Sequence, residues 1–449
     1  MIRTVRHFWP DFNRWLNDLP DTRSPRLVIY DKRFLAWWGI LLFALRLGSR
    51  RRLDAEMRDL ESSVLVNVNR LAGTQQDSLP VHGTLEHFLG HVGAQPFADL
   101  RTEMVGRLVR MKVLDYGRVQ GRLVVAVDGT GWLTFATRHC PHCLTQTQGA
   151  TTIYYHPVLE GKVVDSRGLA ISIATTFIEN ADAADVPADA GAERRKQDCE
   201  LKAFARLAPD LKKNFPQLRI CLSGDAQFAC GTGFKLAKDN GFDFIYVFKE
   251  GRTPALWREF QDLQALSPEN ALHARASDGV ERTYRWVNGL THVDDEKRTH
   301  DALNAIECKE TAKGKTTTFA WITGLPVSAK NVVEVADQGG RVRWKIENQG
   351  FNTQKNGDYN LEHAYSKDPE CLKAYYYLLQ IAHMVMQLVE KGSLLRHIAE
   401  ERGKKPMALL GSLKNLARRI LEGLRNRLLP EDAFSIATCG GFQIRIDTT

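Results

Sequence analysis

The stretch Leu123–Gly131, LVVAVDGTG, places a bare carboxylate after five apolar residues and before two glycines that flank a threonine. Such a short, β-branched run predicts a strand that is buried on both faces. Burying Asp128 at the end of this strand would be costly unless its carboxylate meets a metal, a cation or several hydrogen bonds. The Gly-Thr-Gly that follows would turn the chain away and leave a ligand room to approach. On this stretch alone, a carboxylate that only caps a turn explains Asp128 equally well.

The composition is that of a globular protein with an uneven distribution of charge. Its 449 residues can form two or three domains, and 43% hydrophobic with 25% charged residues is typical of a folded chain. The net charge of +8 favours a polyanionic partner. Basic residues concentrate at Arg50–Arg52 and between residues 391 and 430, where they could bind phosphates. Solvated helix faces produce similar clusters.

The most apolar segment, Phe34–Leu45 (FLAWWGILLFAL), is too short to cross a membrane. Arg33 and Arg46 bound it well below the roughly 18 to 20 residues that a span requires, so it predicts a buried helix. The first residues, MIRTVRHFWPDF, lack the apolar core and cleavage site of a signal peptide. We therefore expect a cytoplasmic protein without a membrane partner, whose eight cysteines remain reduced.

Along the chain, the periodicity changes from helical to strand-like and back. Helical patterns fill residues 33 to 114, and strand patterns begin at Arg122 with LVVAVDG and WLTFATR. After a polar link at residues 180–192, a long helix is predicted over 193–215, followed by RICLSGDAQF, an apolar strand that ends in Asp225. A period-two pattern returns between residues 273 and 335, and the remainder is helical. This succession predicts a mixed α/β fold with Asp128 and Asp225 at strand ends.

A third carboxylate lies in Gly340–Lys355, GRVRWKIENQGFNTQK. On an α-helix, Arg343, Glu347 and Lys355 would share one face, so Glu347 would stand in a row of bases. A surface ion pair accounts for an isolated Arg-Glu pair. A helix-borne carboxylate beside two strand-end carboxylates, however, is what a two-magnesium site requires, because hard cations take oxygen ligands.

The segments VAVDGTG, LSGDAQF and RVRWKIENQGFNTQK, in this order, resemble the DDE transposases of bacterial insertion sequences. That resemblance covers residues 122 to 392 and implies an RNase H-like core, with a β-rich insertion between the second Asp and the Glu. In one large group of these enzymes the Glu helix carries Tyr-x2-Arg-x3-Glu-x6-Lys. Arg343 and Glu347 keep this spacing, whereas Gly340 takes the tyrosine position and Lys355 lies one residue late.

The resemblance also implies a division of the chain. It comprises a helical N-terminal accessory or DNA-binding domain (1–118), the first part of the RNase H-like mixed sheet (119–272), the β-strand insertion (273–335), the second part of the core with the catalytic Glu helix (336–392), and a basic helical C-terminal region (393–449).

The same resemblance implies roles for individual residues. Asp128 would bridge two Mg²⁺ ions, for which Mn²⁺ could substitute, while Asp225 would ligate one ion and Glu347 the other. Together they would catalyse cleavage and strand transfer of DNA at the ends of an insertion sequence. Arg343 and Lys355, with the Arg50–Arg52 cluster, would hold the DNA backbone. The protein would act as a homodimer in a synaptic complex and associate with the nucleoid.

Two further features of the sequence each allow more than one interpretation. Cys140 and Cys143, in CPHC, have the spacing of zinc ligands, and His139, His156 or Cys199 could complete a site in space. A plain turn containing two thiols is the interpretation we favour over a structural Zn²⁺. Glu362, in YNLEHAY, is an alternative to Glu347 but lacks neighbouring bases at helical spacing.

Two alternative functions remain open at the level of the sequence. An actin-like sugar kinase or ATPase could use Asp-Gly-Thr-Gly and the segment Gly231–Gly233 as phosphate loops, although such a fold needs two similar halves. A catalytically inactive transposase relic could retain DNA binding, and an intact acidic triad argues against that decay.

Overall fold

The LVVAVDGTG stretch lies inside a long strand of a mixed β-sheet. The computed structural model describes residues 1–58, 63–149, 151–181, 197–275, 279–312, 314–431 and 444–446. Within these residues the sheet has eleven strands: β1 Arg118–Val119, β2 Arg122–Phe135, β3 Leu144–Gln148, β4 Thr151–Val164, β5 Ala170–Phe177, β6 Ile220–Gly224, β7 Asp243–Val247, β8 Ala271–Arg275, β9 Glu281–Val293, β10 Thr299–Ala312 and β11 Lys315–Thr323.

The strand order in this sheet is β3-β4-β2-β6-β7-β11-β10-β9-β8, with β1 beside β2 and β5 beside β4. Strand β2 is parallel to β6, and β6 is parallel to β7, whereas β2 pairs with β4 in antiparallel fashion. The mixed α/β class predicted from the sequence is therefore confirmed. Strands β8 to β11 extend the same sheet, because β11 pairs directly with β7.

Two strands expected from LVVAVDG and WLTFATR form the single strand β2. The expectation that Gly129, Thr130 and Gly131 turn the chain away is wrong, since all three continue the pairing with β4. Alternate residues of β2 face opposite sides of the sheet. Val125 and Val127 belong to one hydrophobic cluster and Val124 and Ala126 to another, as expected for a strand that is buried on both faces.

Seven α-helices and a short 3₁₀-helix, Asp115–Gly117, precede the sheet in the described residues. The α-helices are α1 Ile2–Phe8, α2 Phe12–Asn17, α3 Lys32–Ala44, α4 Arg50–Met57, α5 Val64–Ala72, α6 His82–Val92 and α7 Gln95–Arg110. The predicted buried helix is α3, in which every residue from Phe34 to Ala44 is buried. Asp31 caps its first turn by accepting a hydrogen bond from the Arg33 amide at 2.8 Å. These helices share one hydrophobic cluster with the sheet.

The later helices are α8 Glu200–Asn214, α9 Gly231–Asp239, α10 Pro254–Leu266, α11 Asn352–Asn356, α12 Pro369–Lys391, α13 Ser393–Glu400, α14 Pro406–Leu410 and α15 Leu413–Asn426. Residues 193–196 of the helix predicted over 193–215, with most of the link before it, fall outside the described residues, and the helix observed there begins at Glu200. Helix α12 is buried along most of its length and packs against α3 and β5. Across the described residues, none of the helices combines the length and apolarity needed to cross a membrane.

The segment that carries Glu347 is not a regular α-helix. It runs as a π-helix over Glu334–Gly340, a 3₁₀-helix over Arg341–Trp344 and a π-helix over Ile346–Phe351, and continues into α11. We call Glu334–Phe351 the irregular helix. Its Ile346 and Phe351 pack in the cluster that contains Val124 and Ala126 of β2. The irregular helix is therefore held over the face of β2 to which Asp128 belongs.

Candidate active site

Asp128 and Asp225 lie side by side because two parallel strands carry them. Val127 of β2 is the Cα partner of Gly224 of β6, so the next residue on each strand is an aspartate. The prediction that Asp128 ends its own strand is wrong, since β2 continues to Phe135. Strand β6 ends at Gly224. Beyond that residue, β6 no longer pairs with the neighbouring edge of β2. A ligand can therefore approach the carboxylates there.

The turn after β6 orients Asp225. Its Oδ1 accepts a hydrogen bond from the Gln227 amide at 2.9 Å, which caps the short 3₁₀-helix Ala226–Phe228. A Cβ atom at Gly224 would lie 2.8 Å from the Phe228 ring and 3.0 Å from Tyr246. Glycine thus allows the chain to pass close to these rings and to present Asp225 beside Asp128.

The irregular helix brings Arg343 and Glu347 to the same place. Arg343 Nη1 donates a hydrogen bond to Asp128 Oδ2 at 2.8 Å. Glu347 is exposed, and its negative charge is felt by Asp128. The α-helical spacing assumed for Arg343, Glu347 and Lys355 is wrong, because 3₁₀ and π turns replace the regular winding. Arg343 nevertheless contacts Asp128, and Glu347 lies near enough to act on it electrostatically.

The surroundings of Asp128 disfavour the ionised form of its carboxyl group. Burial, together with the charges of Asp225 and Glu347, raises the pKa of its carboxyl to about 6 against the opposing charge of Arg343. A group of carboxylates that disfavour one another's ionisation is stabilised by a bound cation, which favours their charged forms. Perturbed acids of this kind cluster at functional sites.

A fourth carboxylate, Glu200, completes the group and was missed in the sequence. It begins α8 and lies over Gly129, where a Cβ atom would be 2.2 Å from Glu200 Oε1. The side-chain amide of Gln227 donates a hydrogen bond to Glu200 Oε2. Burial raises the pKa of Glu200, the bond from Gln227 lowers it, and the charges of Asp128 and Asp225 raise it again. A side chain at position 129 would clash with the Glu200 carboxylate, which explains why the residue there is glycine.

The other predicted DNA-binding side chains lie in contacts of their own. Lys355 Nζ is 3.0 Å from Oε1 of Glu362, so this alternative carboxylate pairs with Lys355. Arg50 pairs with Glu86, Arg52 lies 3.8 Å from Glu56, and Arg51 is exposed. Contacts between these bases and DNA stay predictions.

Comparison with known proteins adds a distant likeness to a solved structure. No protein-family model matches the sequence, and no curated protein matches it. Among solved structures, a piggyBac transposase in a synaptic complex with hairpin DNA is similar, with 9% sequence identity and a TM-score of 0.41 over 98% of this chain and 82% of that one. A likeness of this size leaves the function to be argued from the residues of this chain.

Proposed function

We propose that this protein is a Mg²⁺-dependent DNA transposase of the DDE type, with β2, β4, β5, β6 and β7 as its RNase H-like core. The observation that carries the proposal is the convergence of Asp128, Asp225 and Glu347. They come from a strand, the end of its parallel neighbour and a helix packed across them, and both other charges raise the pKa of Asp128. All three were selected from the sequence as one catalytic set.

The donor set fits a hard divalent cation. Carboxylate oxygens are the protein ligands that Mg²⁺ takes, and it leaves its other positions to water and phosphate. Asp128 would bridge two ions, with Asp225 on one and Glu347 on the other. Bound there, the ions would lower the pKa of a water or of a DNA 3′-hydroxyl and stabilise the leaving oxygen of an in-line displacement at phosphorus.

The side chains around the carboxylates would prepare and position the DNA. Arg343 forms an ion pair with Asp128. If cations bound that carboxylate, the guanidinium group of Arg343 would be available to bind a phosphate of the DNA backbone. Glu200 adds negative potential that attracts cations. Arg418 and Arg419 are exposed on α15 while Leu416 and Ala417 are buried, so this face offers two further phosphate contacts.

The biological setting completes the proposal. The chain would cleave and transfer DNA at the ends of a bacterial insertion sequence, as a homodimer that holds two ends in one synaptic complex on the nucleoid. Basic clusters would supply affinity for DNA, and sequence readout would require contacts with base edges.

The kinase alternative is disfavoured by the packing of its second phosphate loop. A Cβ atom at Gly231 would lie 2.3 Å from the carboxylate of Asp294, and one at Gly233 would lie 2.0 Å from the carbonyl oxygen of Phe228. These glycines accommodate a carboxylate and a carbonyl, which repel phosphate. Phosphate loops instead present backbone N–H groups to their ligand.

The test is strand cleavage of labelled DNA that spans both ends of this protein's own gene, with Mg²⁺, Mn²⁺ or EDTA. We expect metal-dependent nicks at defined ends with the wild type, and none with Asp128→Asn or Glu347→Gln. Asp262→Asn, at an exposed carboxylate on α10, is the matched control and should cleave normally. End binding without cleavage by any form would favour the inactive relic, and absence of binding would remove DNA as the substrate.

A further inference from the structure

A second group of metal-ligating side chains lies at the other end of β2, away from the carboxylates in sequence and chemistry. Cys140 and Cys143 belong to the turn that precedes β3, and His156 belongs to β4. One ligand atom from each of the three lies within 4.8 Å of the others. This group requires no carboxylate and does not depend on the proposed transposase function.

The separations in this group match those of a tetrahedral zinc centre. The two Sγ atoms are 3.7 Å apart, and His156 Nε2 is 3.4 Å from Cys140 Sγ and 3.2 Å from Cys143 Sγ. With Zn–S near ~2.3 Å and Zn–N near ~2.0 Å, tetrahedral angles imply roughly 3.8 Å between sulfurs and roughly 3.5 Å between sulfur and nitrogen. The three atoms therefore already lie near the corners of one tetrahedral face.

Local structure explains how these side chains converge. The Cys143 amide donates to the Cys140 carbonyl at 3.5 Å, and the Cys140 amide donates to Cys143 Sγ at 3.4 Å, so the turn directs both sulfurs inward. His156 is opposite Leu133 of β2, directly after a bulge at Gly131 and Leu133. Because a bulge re-aims the side chains beside it, this one accounts for the position of His156 over the turn.

A disulfide does not explain the cluster, because bonded sulfurs lie at ~2.05 Å, far below the observed separation. Burial also prepares the ligands: Cys143 is 1% and His156 5% exposed. Two sulfurs and one ring nitrogen held together in a largely buried turn are typical donors of a structural zinc site.

We propose that Cys140, Cys143 and His156 bind one Zn²⁺ ion through their Sγ, Sγ and Nε2 atoms. His139 is a neighbouring candidate for the fourth ligand. Its ring stacks on Phe135 at 4.4 Å, and its buried Nε2 has no hydrogen-bond partner in the part of the chain that the structure describes. Either this nitrogen or a water molecule would take the fourth position.

The ion would have a structural role that reaches towards Glu200. His142 Nδ1 donates to the Asn180 carbonyl at 3.0 Å, and Asn180 Nδ2 donates to the Cys143 carbonyl at 3.0 Å. Asn180 Oδ1 in turn accepts from the Asp198 amide at 3.0 Å, two residues before Glu200. Zinc in the turn would therefore hold the segment from which α8 and its first carboxylate begin.

Metal analysis of the full chain, purified with a reductant and without added metal, tests this proposal. We expect about one zinc per chain in the wild type and in Cys199→Ser, whose thiol is exposed, and less than about a tenth of that in Cys143→Ser and His156→Ala. Circular dichroism establishes that each variant is folded. Folded wild type that contains no zinc and binds none when Zn²⁺ is added would overturn the proposal.

Replacement of zinc by Co²⁺ gives a readout on the wild type alone, in case the variants fail to fold. Two thiolates and one imidazole in a tetrahedron predict a thiolate-to-cobalt charge-transfer band together with intense d–d bands. Weak octahedral d–d bands without charge transfer would contradict thiolate ligation. His139→Ala then identifies the fourth ligand: a changed d–d spectrum assigns it to His139, and an unchanged spectrum assigns it to water. Neither measurement uses DNA, so loss of cleavage cannot be mistaken for loss of this site.

Discussion

The carboxylate group at the end of β6 and the thiol–imidazole group at the far end of β2 differ in how they are assembled and stabilised. The carboxylates come from four separate elements, partly exposed, and disfavour one another's charge. The thiols and imidazole come from one hairpin and are mostly buried. The first arrangement suits hard cations that keep water and exchange, and the second suits a zinc ion that stays. Metal chemistry thus follows from ligand type and burial.

The largest effect should come from Asp225→Asn, which separates catalysis from stability. We expect DNA cleavage to fall by more than about 100-fold, since loss of a direct ligand should exceed the ~10- to 100-fold typical of outer-shell partners. Asparagine can still accept the bond from the Gln227 amide, and it removes a like charge. The metal-free unfolding temperature should therefore not fall. A clear decrease would mean that Asp225 serves the fold rather than catalysis.

The contribution of Asp128 to the free energy of unfolding should change by up to about 3 kcal/mol with pH, and this change should distinguish the carboxylate group from the zinc group. The pKa of Asp128 is raised to about 6 from 3.8 in the unfolded chain, so the folded state holds the extra proton. Its contribution to stability is fully present below pH 3.8 and is lost as the pH rises through about 6. In EDTA, the free energy of unfolding of the wild type relative to Asp128→Asn should decline across that window.

The same proton competes with divalent cations at Asp128. Magnesium affinity, measured by calorimetry, should therefore weaken as the pH falls below about 6. If the difference in free energy of unfolding between wild type and Asp128→Asn did not change between pH 4 and 7, the raised pKa of Asp128 would be contradicted.

Cys143→Ser should destabilise the protein by about 2 kcal/mol, which reflects both the lost ion and the opened turn. Addition of a strong zinc chelator should lower the unfolding temperature of the wild type but leave that of Cys143→Ser unchanged. A chelator effect of equal size in both proteins would place the metal elsewhere. Cys199→Ser provides the matched control because its thiol is exposed.

The smallest effect, about 1 kcal/mol, is expected for Gly129→Ala, because the new methyl group meets Glu200. Glu200 can move away, but then it leaves the hydrogen bond from Gln227. Adding Glu200→Ala should remove most of the penalty, and a double-mutant cycle measures that coupling. Additive effects of the two substitutions would show that Gly129 and Glu200 do not contact each other.

Most members of the carboxylate group and of the thiol–imidazole group could be predicted from the sequence. The position of Glu200 and the choice of His156 could not. Asp128, Asp225 and Glu347 carry recognisable signals: an acid after an apolar strand twice, and an acid within a row of bases. Glu200 has no such signal, because its place depends on how α8 crosses β2 at Gly129. His156 stood as one of three equal partners for Cys140 and Cys143, and the β2–β4 register with its bulge selects it.

The sequence by itself determined the mixed α/β class and the buried helix α3, and it predicted a carboxylate triad, because burial patterns and ligand chemistry are properties of short segments. Tertiary structure decided that Gly129 continues a strand, that Glu347 lies in a π-helix, and that Glu200 and His156 lie beside the other members of their groups. These outcomes depend on strand register and on packing between distant elements, which spacing along the chain does not encode.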